Sequence, residues 1–202
     1  VGKVKVAIFG SGGTAKETLG YLHGDPRYEV VAVVSTEQFD NLDYGVKFEV
    51  FDRVPSEIDG FIMAVADPAL KRKFVAENVD KWITYAHPSV VISPYARVGR
   101  GCWFAPNSLI CGDARIGDFV TYNVYAQSGH GCVIGDYSTF SPYATTCGDC
   151  KVGTDVFFGV HAAVVPRIKI ASGAKISAGA VVRHSILEAV TVYGDPAKVR
   201  AV

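Results

Sequence analysis

From Ile92 to Val182 the chain repeats every six residues. Ile92, Val98, Phe104, Ile110, Ile116, Tyr122, Ser128, Ile134, Phe140, Thr146, Val152, Phe158, Val164, Ile170, Ile176 and Val182 form one series, and only Ser128 and Thr146 interrupt its apolar character. Four residues after most of them stands a small residue, as at Ala96, Cys102, Ser108, Ala114, Ala126, Cys132, Ala144, Cys150, Ala162 and Ala180. Glycine often follows directly, as at Gly99, Gly117, Gly135 and Gly153. A period of six fits neither an α-helix nor an alternating strand, and it predicts a parallel β-helix. Three hexapeptides make one triangular coil, so residues eighteen apart stack at the inter-strand spacing of roughly 4.8 Å.

Ahead of the repeat the pattern changes. Short β-branched runs at Val4–Phe9, Tyr28–Ser35, Val46–Phe51, Phe61–Ala66 and Trp82–Tyr85 alternate with helical stretches at Thr14–Leu22 and Pro68–Glu77. That alternation predicts a small parallel α/β sheet. The expected division is an α/β unit over 1–88 and the coil over 89–202. Gly10, Ser11, Gly12 and Gly13 connect the first strand to its helix, where free N–H groups suit a phosphate or carboxylate. The same glycines serve equally as a tight turn. Ala15 replaces the third glycine of the dinucleotide fingerprint, and Ser35 and Thr36 stand where an acid would close strand two, which argues against a redox dinucleotide.

Twenty basic and twenty acidic residues cancel, without a basic run, so nucleic acid and anionic membrane are not the expected partners. The apolar runs are too short to span a bilayer, and the first nine residues lack signal-peptide anatomy. A cytoplasmic protein without membrane insertion is the expectation, and Val1 in place of Met reads as a processed or trimmed start. All five cysteines lie in the repeat. Cys102, Cys132 and Cys150 fall in its small register as compact apolar residues, so Cys147-x-x-Cys150 is not read as a metal site.

His130 has Gly112 and Gly148 eighteen residues before and after it, an arrangement that clears space around an imidazole suited to proton transfer. In the next column Asp113 and Asp149 flank Gly131; either carboxylate is placed to orient the ring, with Asp149 preferred and a solvated turn residue as the alternative. His161 lies at another phase of the hexad, with a packing role or the lining of a neighbouring coil's cleft as its two readings. His23, His87 and His184 carry no motif. Lys71, Arg72 and Lys73 read as a charged helix face or a phosphate contact. Phe140, Phe157 and Phe158 read as corner fillers.

The α/β unit, the hexapeptide coil, the run His130-Gly131-Cys132-Val133-Ile134-Gly135-Asp136 and the tail Val192-Tyr193-Gly194-Asp195-Pro196-Ala197-Lys198 together resemble the sialic acid O-acetyltransferase and nucleotide-aminosugar N-acetyltransferase family. The bacillosamine-pathway enzyme typifies its N-acetylating members. The resemblance implies a Rossmann-like N-terminal domain followed by a left-handed parallel β-helix, and a homotrimer with acetyl-CoA as co-substrate between neighbouring coils and no metal. It also implies a nucleotide sugar on the N-terminal domain, acetylated for a bacterial surface glycan. Position by position it makes His130 the general base and Gly148 the donor to the thioester carbonyl. Val160 and Ala178 line the pantetheine arm, and Thr139 stands where a second histidine touches the acyl group. Gly10, Ser11, Gly12, Gly13, Ser35 and Thr36 then contact the nucleotide sugar. Sugar O-acetylation and a non-catalytic nucleotide-sugar-binding protein are the alternatives; the second draws on Gly131, which stands where the family has an acid.

Overall fold

The computed structural model describes residues 2–10, 12–35, 48–50, 57–75, 81–196 and 198–199. Strands β1 (Val4–Phe9), β2 (Tyr28–Ser35), β3 (Phe48–Val50) and β4 (Gly60–Met63) form a parallel sheet in the order β3-β2-β1-β4, with helix α1 (Gly13–His23) after β1 and α2 (Pro68–Val75) after β4. The chain runs outward from β1 through β2 to β3 and then crosses to β4 on β1's other side. The direction of winding therefore switches between β1 and β4. Val46, Phe51 and Glu77, expected at element ends, lie outside the described residues. Trp82 meets Phe61 of β4 in an isolated bridge. Tyr85–Ala86 instead opens the coil by pairing with Trp103–Phe104.

From there to Val182 the chain is a parallel β-solenoid of two-residue strands; with Thr191–Tyr193 and the antiparallel Lys198–Val199 added at one end, they join in eight-, six- and five-stranded sheets that make three faces. Every pairing from Tyr85 to Val182 advances by eighteen residues. The series from Phe104 to Val182 points inward and is buried, including Ser128 and Thr146. Those two belong to a polar chain inside the core: the Tyr122 and Ser128 hydroxyls lie 2.6 Å apart, and Thr146 reaches Ser128 at 3.0 Å. A buried hydroxyl needs such partners, so the interruptions occur together. Phe104, Tyr122, Phe140 and Phe158 stack in the interior at centroid separations of 5.4, 4.4 and 4.3 Å. Phe140 and Phe158 thus fill the core, not corners, and Phe157 faces outward.

Most hexapeptides turn at a left-handed residue three places after the inward one; after Ile110 it is Gly112, two places on. Nine of these are not glycine, among them Tyr125, Tyr143, Asp149 and His161. Such a conformation costs about 1–2 kcal/mol per residue, and the stacked coils on either side hold it.

The α/β unit sits on the eight-stranded face. Trp103 joins Leu19, Leu22 and Tyr85 in one apolar cluster, and Phe119 joins Phe9, Phe74 and Trp82 in another. Between them lies Lys71, fully buried on α2. Its Nζ donates to the carbonyls of Phe119 (2.9 Å) and Ser138 (3.1 Å) and reaches the hydroxyls of Thr139 (2.8 Å) and Thr121 (3.1 Å). Arg72 lies 4.4 Å over the Tyr137 ring and forms a two-point ion pair with Asp155. Lys71 and Arg72 are therefore fasteners onto the coil. Lys73 remains exposed.

Candidate active site

His130 occupies the corner between the six- and five-stranded faces. Its side chain is 71% exposed, with Nδ1 3.8 Å from Asp149 Oδ1. That separation is long for a hydrogen bond but close enough for the carboxylate to stabilise an imidazolium. The imidazole leans over Gly148: a Cβ there would lie 2.5 Å from both Cε1 and Nε2. Gly112 is likewise closed by the Cβ of His130 at 2.7 Å. The two glycines thus admit the histidine itself. The Gly148 N–H donates to no protein acceptor among the described residues.

The two neighbouring acids separate clearly. Asp113 accepts the Gly131 N–H at 2.8 Å, which holds its carboxyl below the usual range. Asp149 carries a left-handed φ of 62°, and its backbone N–H is anchored on the His130 carbonyl at 2.8 Å. Its carboxylate occupies the space a side chain at residue 131 would need. The glycine at 131 and the aspartate one rung above it are therefore geometrically coupled.

The other expected contacts lie elsewhere. Thr139 is buried beneath α2, donating to the Ala66 carbonyl at 2.5 Å while accepting from Lys71. It has no free face to offer an acyl group. Val160 and Ala178 stack on successive rungs of the corner between the eight- and six-stranded faces, a different corner from His130, and one chain does not bring them to the imidazole. Beside them Tyr125, Tyr143 and His161 form a stacked ladder with centroid separations of 5.0 and 4.7 Å.

At the glycine turn, Gly10 has φ 132° and a Cβ there would lie 2.6 Å from the Ala64 carbonyl, so glycine is required. Gly12 caps α1 with extended backbone, and Gly13 has open space around it. Ser11 and Thr36 lie outside the described residues, as does the side chain of Ser35. Ala64–Asp67, which contacts Gly10, leads into a cavity of about 520 Å³ lined by Asp67, Pro68, Arg72, Asp155, Phe157 and Lys175. The crevice at the carboxyl ends of β1 and β4 is a topological switch point, the usual ligand position in such sheets.

Among the described residues no group of three or more His, Cys, Asp or Glu is placed to hold a metal ion, and no helix is long and apolar enough to cross a membrane. Sequence reasoning missed the burial of Lys71, although Pro68, Lys71 and Phe74 share one helix face at intervals of three.

No family model matches the chain. A stretch of 144 residues is 31% identical to GDP-perosamine N-acetyltransferase of Escherichia coli O157:H7, spanning 65% of this chain and 65% of that protein's length. A histidine-to-asparagine variant of perosamine N-acetyltransferase from Caulobacter crescentus, solved with CoA and GDP-perosamine, superposes with a TM-score of 0.91 at 28% identity over 98% of this chain and 97% of that one. The acetyltransferase domain of PglB from Neisseria gonorrhoeae FA1090 shares the fold, with a TM-score of 0.87 at 24% identity over 97% and 99% of the two chains.

Proposed function

We propose that the chain belongs to the hexapeptide-repeat nucleotide-aminosugar N-acetyltransferases, to which its likeness to GDP-perosamine N-acetyltransferases points, and that it transfers the acetyl group of acetyl-CoA to the amino group of a nucleotide-linked sugar. The observation that carries this reading is the exposed imidazole of His130, seated over Gly148 with the Asp149 carboxylate 3.8 Å from Nδ1. With Nδ1 facing the carboxylate, Nε2 is the proton acceptor. The amine nitrogen attacks the thioester carbon as His130 takes its proton; the C–S bond then breaks, and the thiolate leaves as CoA thiol after receiving that proton. The Gly148 N–H polarises the carbonyl and stabilises the oxyanion. No acyl-enzyme forms.

We read the α/β unit (1–88) as Rossmann-like and the coil (89–202) as left-handed. The glycine turn and the β1/β4 switch point hold the nucleotide sugar. GDP-perosamine, which the Caulobacter enzyme binds, is the first acceptor to test. A cytoplasmic step in building a surface glycan fits this chemistry.

The coil assembles as a trimer through its six-stranded face. The outward column there is Val91, Leu109, Gln127, Thr145, Ala163 and Val181, without a charge. This face lies between the corner of Val160 and Ala178 and the corner of His130. Packing it around a threefold axis sets one subunit's pantetheine corner against the next subunit's base. Sedimentation at micromolar concentration should give a trimer; a monomer overturns the arrangement.

The reaction is tested by incubating purified protein with acetyl-CoA, a thiol reporter and GDP-, UDP- or dTDP-linked amino sugars. Thiol release that requires the amino sugar supports N-acetylation. Release only with hydroxyl acceptors replaces it by O-acetylation, and none with any acceptor removes the enzymatic reading. Within it, Asp149→Asn should lower kcat about tenfold and change the pH–rate profile, because the imidazolium loses its neighbouring carboxylate. Asp113→Asn retains an oxygen for the Gly131 N–H and should leave both nearly unchanged. Equal profiles for both variants and the parent would mean that neither carboxylate serves the base.

A further inference from the structure

We infer that the outward column of the five-stranded face, Arg97, Arg115, Val133, Lys151 and Lys169, is a diphosphate-binding surface beside His130. The identity of its ligand rests on the acetyl-transfer reading; the surface itself does not. Arg97 pairs in register with Arg115, Arg115 with Val133, Val133 with Lys151 and Lys151 with Lys169, and all five side chains are exposed. Like charges directly opposite on neighbouring strands, roughly 4.8 Å apart, destabilise a sheet. This face carries two such pairs.

Four carboxylates flank the column, and each is used elsewhere. Asp113 takes the Gly131 N–H, and Arg115 contributes only a minor through-space attraction to it. Asp118 takes the backbone N–H of Arg100 and pairs with its side chain. Asp136 takes the Asp118 N–H, and Asp149 faces His130. None of the column's four cations makes an ion pair among the described residues, whereas Arg27, Arg72, Arg100 and Arg183 each do. The column is thus a line of unneutralised positive charge. Composition conceals it, because its members are eighteen residues or more apart and the totals cancel.

Its position connects it to the chemistry. Val133 follows His130 by three residues, at most about 11 Å of extended chain. Arg115 and Lys151 stand one strand to either side of Val133, and both side chains are long enough to lean toward the corner. Higher on the same face, Lys151 and Lys169 border a depression of about 320 Å³ with Gly153, Ala171, Ile186 and Leu187. Two cations beside an apolar floor suit the phosphates and the nucleoside of one molecule. Both substrates of the proposed reaction carry a diphosphate between a nucleoside and the reacting end, so the ligand class is a nucleoside diphosphate ester whose reactive end lies at His130.

Calorimetric titration of the intact protein with inorganic pyrophosphate, CoA, GDP and UDP at two salt concentrations, repeated on Arg115→Gln/Lys151→Gln and on Lys169→Gln, tests the inference. The double variant should lose about tenfold in affinity per cation removed, as for a lost charge-assisted hydrogen bond, with a shallower salt dependence. A loss for GDP or UDP but not CoA assigns the column to the acceptor, and the reverse assigns it to the donor. If the parent binds neither CoA nor nucleotide while pyrophosphate affinity still falls in the variants, the column stands and the acetyl-transfer reading fails. Unchanged affinity for every ligand that the parent binds overturns the column. The substitutions relieve repulsion between exposed groups, so a melting temperature equal to or above the parent's is the folding control.

Discussion

His130→Ala should lower kcat by roughly 10²- to 10⁴-fold, the contribution expected of a general base. The imidazole is the exposed titratable ring at its corner, with Nδ1 turned to Asp149 and Nε2 free to accept a proton. Losing it leaves the Gly148 N–H and the binding surfaces in place, so some turnover should persist. Affinity for acetyl-CoA should change little, because a proton acceptor for the amine makes no contact that the donor needs in the ground state. Steady-state thiol release together with direct CoA titration separates the two quantities. A variant with parental kcat would mean that the amine is deprotonated elsewhere, and the assigned chemistry would fall. Gly148 and Gly112 are tied to this result, since any side chain at either position collides with the histidine.

The second large effect concerns stability. Burial without a counter-ion pulls Lys71 down to about 7, against which the attractions of Cys102, Asp155 and Asp67 are smaller. In the unfolded chain the same amine titrates near 10.4. Between these values the unfolded chain holds a proton that the folded one has released, so stability rises with pH, by up to about 1.4 kcal/mol per unit. Below the window both states are protonated and the folded state carries the full cost of a buried ammonium. Above it both are neutral. The neutral amine still donates to two acceptors and can accept from the Thr121 hydroxyl. Lys71→Met removes this dependence and leaves the Phe119 carbonyl unpaired, while the Ser138 carbonyl keeps the Thr121 N–H, so at pH 9 it should be less stable by roughly 1–3 kcal/mol. Denaturant unfolding of both proteins from pH 6.5 to 9.5 measures the difference. Parallel curves would mean that the three obligate acceptors, Phe119 O, Ser138 O and Thr139 Oγ1, keep the ammonium charged throughout.

Much of the fold was legible because the coil is nearly one-dimensional. A period of six sets which side chain points inward, and a period of eighteen sets which residues touch. From these alone Gly112, His130 and Gly148 fall in one column, and Asp113, Gly131 and Asp149 in the next. The same rule placed Cys102, Cys132 and Cys150 in the core, where they are buried. In the α/β unit, alternating patterns located β1 and β2 at their observed bounds and the start of α2 at Pro68, and they placed α1 and β4 with ends shifted by one to three residues. They did not show that Trp82 bridges Phe61 while Tyr85 already belongs to the coil.

Thr139 marks the limit of such reading. Its register is correct and its outward direction is correct, yet α2 covers it and Lys71 and Ala66 consume its hydroxyl. A repeat specifies direction, not what lies opposite. The choice between Asp113 and Asp149 had the same character, since both sit one rung from Gly131, and what separates a backbone cap from a carboxylate facing His130 is the corner backbone, left-handed at Asp149 but at Gly112 two rungs below, together with the side-chain torsions. The column of Arg97, Arg115, Lys151 and Lys169 was implicit in the numbering but invisible as composition.

By itself, then, the sequence determined the coil, its inward series and the position of His130 between two glycines, because each follows from contacts at a fixed separation along the chain. Only the tertiary structure decided which acid stands nearest the histidine, that Lys71 is buried and Thr139 covered, and that four cations on one face make no ion pair among the described residues. These depend on side-chain torsions and on the docking of the α/β unit against the coil, contacts for which the repeat has no period.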